Sequence, residues 1–163
     1  MDFISKLYTF DLFSRFIPGG IFCILSQKEL GYTFMNNTNT IEKIFMYYVI
    51  GVVINCMGSI LLGSKSKNDI TYENYVIATK KDDEIKIINE TANLYRSLII
   101  VCMLMVLLIL LSSIDINSKS IKVDIRRLNM ISLYIIIGII LFESRKRTTE
   151  YIDKRIKLIC RDK

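Results

Sequence analysis

From Leu98 to Leu111 the chain reads LIIVCMLMVLLILL, an apolar run that no charge interrupts, and nothing else in the sequence limits the fold as strictly. Extended to Ser97–Ile114, it approaches the about 20 residues that a helix needs to cross the hydrocarbon core of a bilayer. Each Leu, Ile or Val at the helix centre favours insertion by roughly 0.3–0.6 kcal/mol, so the run as a whole favours it by several.

Three more segments carry the same signal. Residues 44–63, IFMYYVIGVVINCMGSILLG, are apolar apart from Asn55 near the middle. A further span covers 129–142, or 125–142 with a helical approach; Arg126 and Arg127 then extend to the outer interface, stems in the lipid and heads in water. Residues 7–30 are apolar overall but hold Asp11, Arg15, Lys28 and Glu29. A charge at mid-bilayer opposes insertion by about 2.5–3.5 kcal/mol, so these residues belong near the two interfaces. Asp11 and Arg15 also stand at i,i+4, close enough on a helix to neutralise each other. Pro18-Gly19-Gly20 admits one kinked crossing helix, or an interfacial helix over 2–16 followed by a span from Pro18. The kinked helix is favoured, because Pro18 to Gln27 is too short to cross alone. The expected fold is an all-α integral membrane protein with four transmembrane helices, cytoplasmic helical extensions and a homo-oligomeric state.

Charge sets the orientation. The net charge is +6. The loop over 64–96 and the tail over 143–163 are richer in Lys and Arg than the other two loops, which places both, and both termini, in the cytoplasm. Abundant Ile, with Ala only at Ala78 and Ala92, has the character of AT-rich coding and points to a bacterial inner membrane.

Beyond the spans, Asp82 to Arg96 opens with Asp82-Asp83-Glu84, an acidic turn suited to a helix start. Its apolar residues Ile85, Ile88, Ala92 and Tyr95 form a stripe, as do Ile152, Ile156 and Ile159 in the tail. The two stripes are expected to pack together, or against further copies, below the membrane.

Chemistry-bearing residues are few. The chain has no His, which removes the commonest general base and metal ligand. Cys23, Cys56, Cys102 and Cys160 show no metal-ligand or disulfide spacing. No P-loop, GxSxG, HExxH or GxGxxG is present, and a helix start explains Asp82-Asp83-Glu84 better than a metal does. No enzyme, cofactor or metal is expected. In the second span Gly51, Asn55, Gly58 and Ser59 share one face. Such residues mark either close helix contact or a polar path; a pore would require an oligomer. Arg145-Lys146-Arg147 reads first as a topology signal in contact with anionic lipid. The sharper alternative is a site for a nucleotide or nucleic-acid ligand, with Lys80, Lys81, Tyr72 and Tyr75 adding charge and stacking faces.

Phe10-Asp11 through Pro18-Gly19-Gly20, with Asn93-Leu94-Tyr95-Arg96-Ser97-Leu98 leading into a span, resembles the small multi-pass effectors of bacterial anti-phage defence, of the Hailong type. The resemblance implies an oligomeric channel held shut by DNA oligomers that a partner nucleotidyltransferase makes. The expected function is therefore a ligand-gated channel or pore-forming effector. The alternative is a non-conducting scaffold that docks a cytosolic partner on the Ile85/Ile88 and Ile152/Ile156 stripes.

Overall fold

A computed structural model describes residues 2–31, 39–63, 72–115, 120–121 and 124–161. Among the described residues five helices make up the architecture: α1 (Asp2–Leu30), α2 (Thr40–Leu61), α3 (Tyr72–Lys81), α4 (Glu84–Ser112) and α5 (Ile125–Arg161). Between α4 and α5 the strands β1 (Ile114–Asp115) and β2 (Ser120–Ile121) form a short antiparallel ladder, Ile114 opposite Ile121 and Asp115 opposite Ser120.

Three of the helices, α2, α4 and α5, are long and apolar enough to cross a membrane. In hydrocarbon every backbone N–H and C=O needs an internal partner, and the helix supplies one to each. α1 is as long as α4, 29 residues, yet its apolar stretch is bounded by Arg15 on one side and Lys28 and Glu29 on the other. It is one continuous helix with Pro18 buried inside it, as the single-helix reading expects. Gly31, at φ 69°, ends it in the left-handed conformation that glycine adopts without steric cost. Its N–H donates to the Gln27 carbonyl at 3.1 Å.

The sequence places a helix start at Asp82. The chain instead folds α3 just before it, and Asp82 and Asp83 form the turn into α4. The Asp82 N–H donates to the Ala78 carbonyl at 2.9 Å, closing α3, and its side chain accepts the Glu84 N–H at 3.1 Å, opening α4. A carboxylate there complements the positive end of the α4 dipole. α5 runs unbroken to Arg161, as expected from the absence of Gly or Pro after Gly138.

α4 is the central helix, with α1, α2 and α5 each packed on it; the α2 and α5 backbones stay apart, although the Arg145 side chain of α5 reaches Leu62, just past the end of α2. Its apolar stretch is the most buried of the three and that of α5 the least. The bundle core comprises Ile54 of α2, Ile100, Val101, Met105 and Ile109 of α4, and Tyr134 of α5. A second core lies at the end where α3 packs on α4 and α5: Ala78, Ile85, Ile152 and Ile156, flanked by Tyr75, Ile88 and Ile159. The two stripes read from the sequence thus meet, and α3 covers them. Arg155 fastens the same corner. It pairs with Asp82 and, at 2.7 Å, with Glu84. Those hydrogen bonds, Glu84 first and then Asp82, raise its pKa above the ordinary arginine value.

α1 and α2 cross at glycines. A Cβ on Gly51 would collide with the Arg15 carbonyl, and one on Gly19 with the Tyr47 carbonyl and the Gly51 amide. Small residues let membrane helices reach this distance, where dispersion contacts are many. Gly51→Val should therefore lower the thermal stability of the purified protein, by about 1–3 kcal/mol for overpacking. Gly138→Ala is the control, since an added Cβ there meets Cys102 Cβ at an ordinary 3.8 Å. Ile156→Asp should open the α3 corner, read as faster hydrogen exchange over 72–88 with the bundle unchanged.

Candidate functional site

The polar interior of the bundle is organised by Asn55. Its Oδ1 accepts from Arg96 Nη2 at 3.0 Å and from Ser97 Oγ at 3.2 Å, both on α4. Arg96 packs its stem over Gly58, where an added Cβ would lie 3.2 Å from Arg96 Cγ. Gly58 thus makes room for the aliphatic part of the arginine, and Asn55, one turn away, receives its head. Arg96 Nε is buried without a hydrogen-bond partner among the described residues. Ser59 Oγ turns back to the Asn55 carbonyl at 3.1 Å and is exposed.

The four residues that the sequence groups on α2 are therefore placed in three settings. Gly51 is buried against α1, Gly58 and Asn55 against α4, and Ser59 faces outward. Within the chain Gly51, Asn55 and Gly58 serve helix contact and Ser59 does not.

A second arginine stands at the same level. Arg145 Nη2 donates to the Leu62 carbonyl at 2.6 Å, at the end of α2. Positive charge is favourable there, where the last carbonyls of a helix lack intrahelical partners. Gly58 and Leu62 lie at i,i+4 on α2, so Arg96 and Arg145 reach one face of its last turn, and each guanidinium lies in the field of the other. Glu90 adds an acidic charge that acts on Arg96. Its carboxylate accepts from Ser14 Oγ at 3.5 Å and from Asn93 Nδ2 at 3.5 Å, linking α1 to α4.

The other basic residues divide into two groups. Lys146 and Arg147 are exposed, and Arg147 pairs with Glu143 at 3.6 Å. Lys80 and Lys81 end α3 and are exposed, while Tyr72 lies open at its start, 79% accessible. Tyr75 is half-buried in the α3 corner; burial, then Glu90 and Tyr72, raise its phenol above the usual value. The α3 residues sit at the level of Arg155 to Cys160, roughly ten residues or about 15 Å along α5 from Arg145. The fold does not join them to Arg145-Lys146-Arg147 in one site. Of the proposed interface pair, the Asp11 side chain lies outside the described residues; the Arg15 carbonyl faces Gly51. No group of acidic or cysteine side chains suited to a metal occurs among the described residues, and Asp82 and Glu84 serve Arg155 instead.

Sequence reasoning singles out Asn55 and passes over Arg96 as a loop charge. The signal was available. A polar amide inside an apolar helix needs a partner, and Arg96-Ser97 supplies donors at the entrance of the most apolar span. The opposite end of the bundle has its own counterpart, where Arg127 donates to the Ser112 carbonyl at 2.9 Å and to Ser113 Oγ at 3.2 Å.

Asn55→Leu leaves Arg96 and Ser97 without their acceptor, which should cost about 1–3 kcal/mol in thermal unfolding. Asn55→Asp, which keeps an acceptor opposite the guanidinium, should restore most of the loss. No protein-family model, curated protein or solved structure matches the chain.

Proposed function

We propose that the chain is a ligand-gated channel or pore-forming effector of a bacterial inner membrane, assembled from several copies and acting in anti-phage defence. In this reading α1, α2, α4 and α5 are four spans, and the α3 end of the bundle and both termini are cytoplasmic. The fourth span is supported by the packing of α1 along α2 and α4, with Cys23 and Ser26 buried in the bundle. Lys28 and Glu29 fall at one end of α1, and Arg15, near its middle, bounds the apolar stretch on the other side, so insertion requires Arg15 to lie at the interface.

One observation carries the gating reading. α4 and α5 each continue without a break from the apolar bundle into the α3 corner. A ligand that alters the packing of α3, Ile85, Ile152 and Ile156 therefore has a rigid path to the spans. It shifts the population only as far as it binds one state more tightly than the other. An anionic ligand, a nucleotide or a short DNA oligomer from a nucleotidyltransferase, would meet Lys80, Lys81 and Tyr72 on the exposed face of α3. Conduction requires several copies, because α1 and α4 occupy the polar face of α2, and α5 offers the widest apolar surface for assembly. The scaffold alternative has less support: Ile85, Ile152 and Ile156 cover one another and offer no docking stripe.

Planar-bilayer recording of the purified oligomer tests the proposal. Currents that change when DNA oligomers are added, and lose that response in Lys80→Glu/Lys81→Glu, are the expected result. Silence from intact oligomers with and without the oligonucleotide overturns the channel, and reporter tags on opposite sides of the membrane overturn the four spans.

A further inference from the structure

Because the α2 and α5 backbones both pack on α4 and stay apart from each other, an open groove of about 690 Å³ is left between them, with α4 as its floor. Its walls are apolar throughout, from Met57 and Leu62 of α2 across Ile99 and Leu107 of α4 to Ile139 and Phe142 of α5. Between Ile99 and Leu110 it follows α4 for about 16 Å. That is close to one leaflet of a hydrocarbon core about 30 Å thick.

The two arginines stand at one end of this groove. Arg96 lies one turn before Ile99, and Arg145 lies one turn after Phe142 and donates to the carbonyl of Leu62. Each of the three walls therefore ends at a guanidinium or at its acceptor. No carboxylate pairs with Arg145 among the described residues, and the charge of Arg96 acts on it. The arrangement is positive at the mouth and apolar along the length.

We propose that the groove seats one acyl chain of an anionic phospholipid, with its phosphate held by Arg145 and Arg96 at the α3 end. The inference rests on the chain lying in a bilayer with that end toward the cytoplasm, where the leaflet is rich in anionic lipid. Selectivity comes from the headgroup, since bulk lipid chains are as apolar as the groove and gain nothing by entering it. A phosphate offers several acceptors to the N–H groups that Leu62 and Asn55 leave unused, in the bidentate geometry that favours arginine. A nucleotide fits less well, because the groove gives a base no polar partner.

Native mass spectrometry of the purified protein, released from micelles containing equal phosphatidylglycerol and phosphatidylcholine, tests the site. One phosphatidylglycerol per chain should be retained in preference to phosphatidylcholine. Arg145→Gln should reduce that preference on the order of fivefold, while Arg147→Gln, on the exposed face, should leave it unchanged. Ile139→Trp, which fills the groove, should reduce retention of both lipids. A photo-crosslinker in place of Met103 should capture lipid.

Equal retention of the two lipids, an unchanged preference in Arg145→Gln, or displacement of the lipid by inorganic phosphate alone would overturn the site. Capture of a second copy of the chain by the crosslinker would overturn it too, by assigning the groove to assembly. Conductance of the same preparation separates the two proposals: a protein that conducts without retaining lipid sinks only this one.

Discussion

A single acceptor, the side-chain oxygen of Asn55, ties α2 to the central helix and fixes what surrounds it. Inside an apolar bundle an amide without a partner is costly, and a guanidinium without one more so. Each resolves the other. Once Arg96 turns inward to reach Asn55, its stem needs the space that only a glycine at 58 leaves, and Ser97 falls within reach of the same oxygen. Glu90, one and a half turns earlier on α4, then takes up hydrogen bonds from Asn93 and from Ser14 of α1. The polar contacts of three helices follow from one pairing.

The two ends of the molecule are held by different physics. With the bundle in a bilayer, as proposed, its helices would gain little from burying apolar surface, because lipid is as apolar as their partners, and close packing at Gly19 and Gly51 with internal hydrogen bonds would hold them. In the α3 corner, which lies in water in the proposed topology, the aqueous rule applies. Burying Ile85, Ile152 and Ile156 favours association by roughly 1.5–3 kcal/mol per side chain, and ion pairs from Arg155 to Asp82 and Glu84 fix the register. α4 and α5 take part in both regimes without changing secondary structure.

Much of this was legible in the sequence, and the reasons are particular. The spans are legible because the run from Leu98 to Leu111 and its two counterparts have no competing charge. The meeting of the stripes is legible because Ile85/Ile88 and Ile152/Ile156/Ile159 keep a helical period beyond the membrane. α3 was not, since Tyr72–Lys81 is a short polar helix stabilised by tertiary contact through Ala78 rather than by a pattern of its own. The α4 start at Glu84 rather than Asp82 was missed because an aspartate suits a cap as well as a first turn. The distribution of the α2 stripe between two neighbours was also hidden: spacing says which residues share a face, not which helix each one meets. Arg145 illustrates the same limit. Its sequence neighbours make it one of three equivalent charges, and only the fold separates it, by bringing the end of α2 beneath it.

α5 is a rod of about 55 Å that is seated firmly at its ends, by Arg127 on the turn after α4 and by Arg155 on the turn before it. Between them it rests chiefly on α4, with Arg145 on the end of α2 and its apolar face open. It is in effect a lever with one long flank unsupported. Because no break interrupts the helix, a tilt at the α3 corner is resisted at the far end by the Arg127 contacts. Whatever lies against that flank, lipid or another copy in the proposed membrane setting, would set the resistance the lever works against.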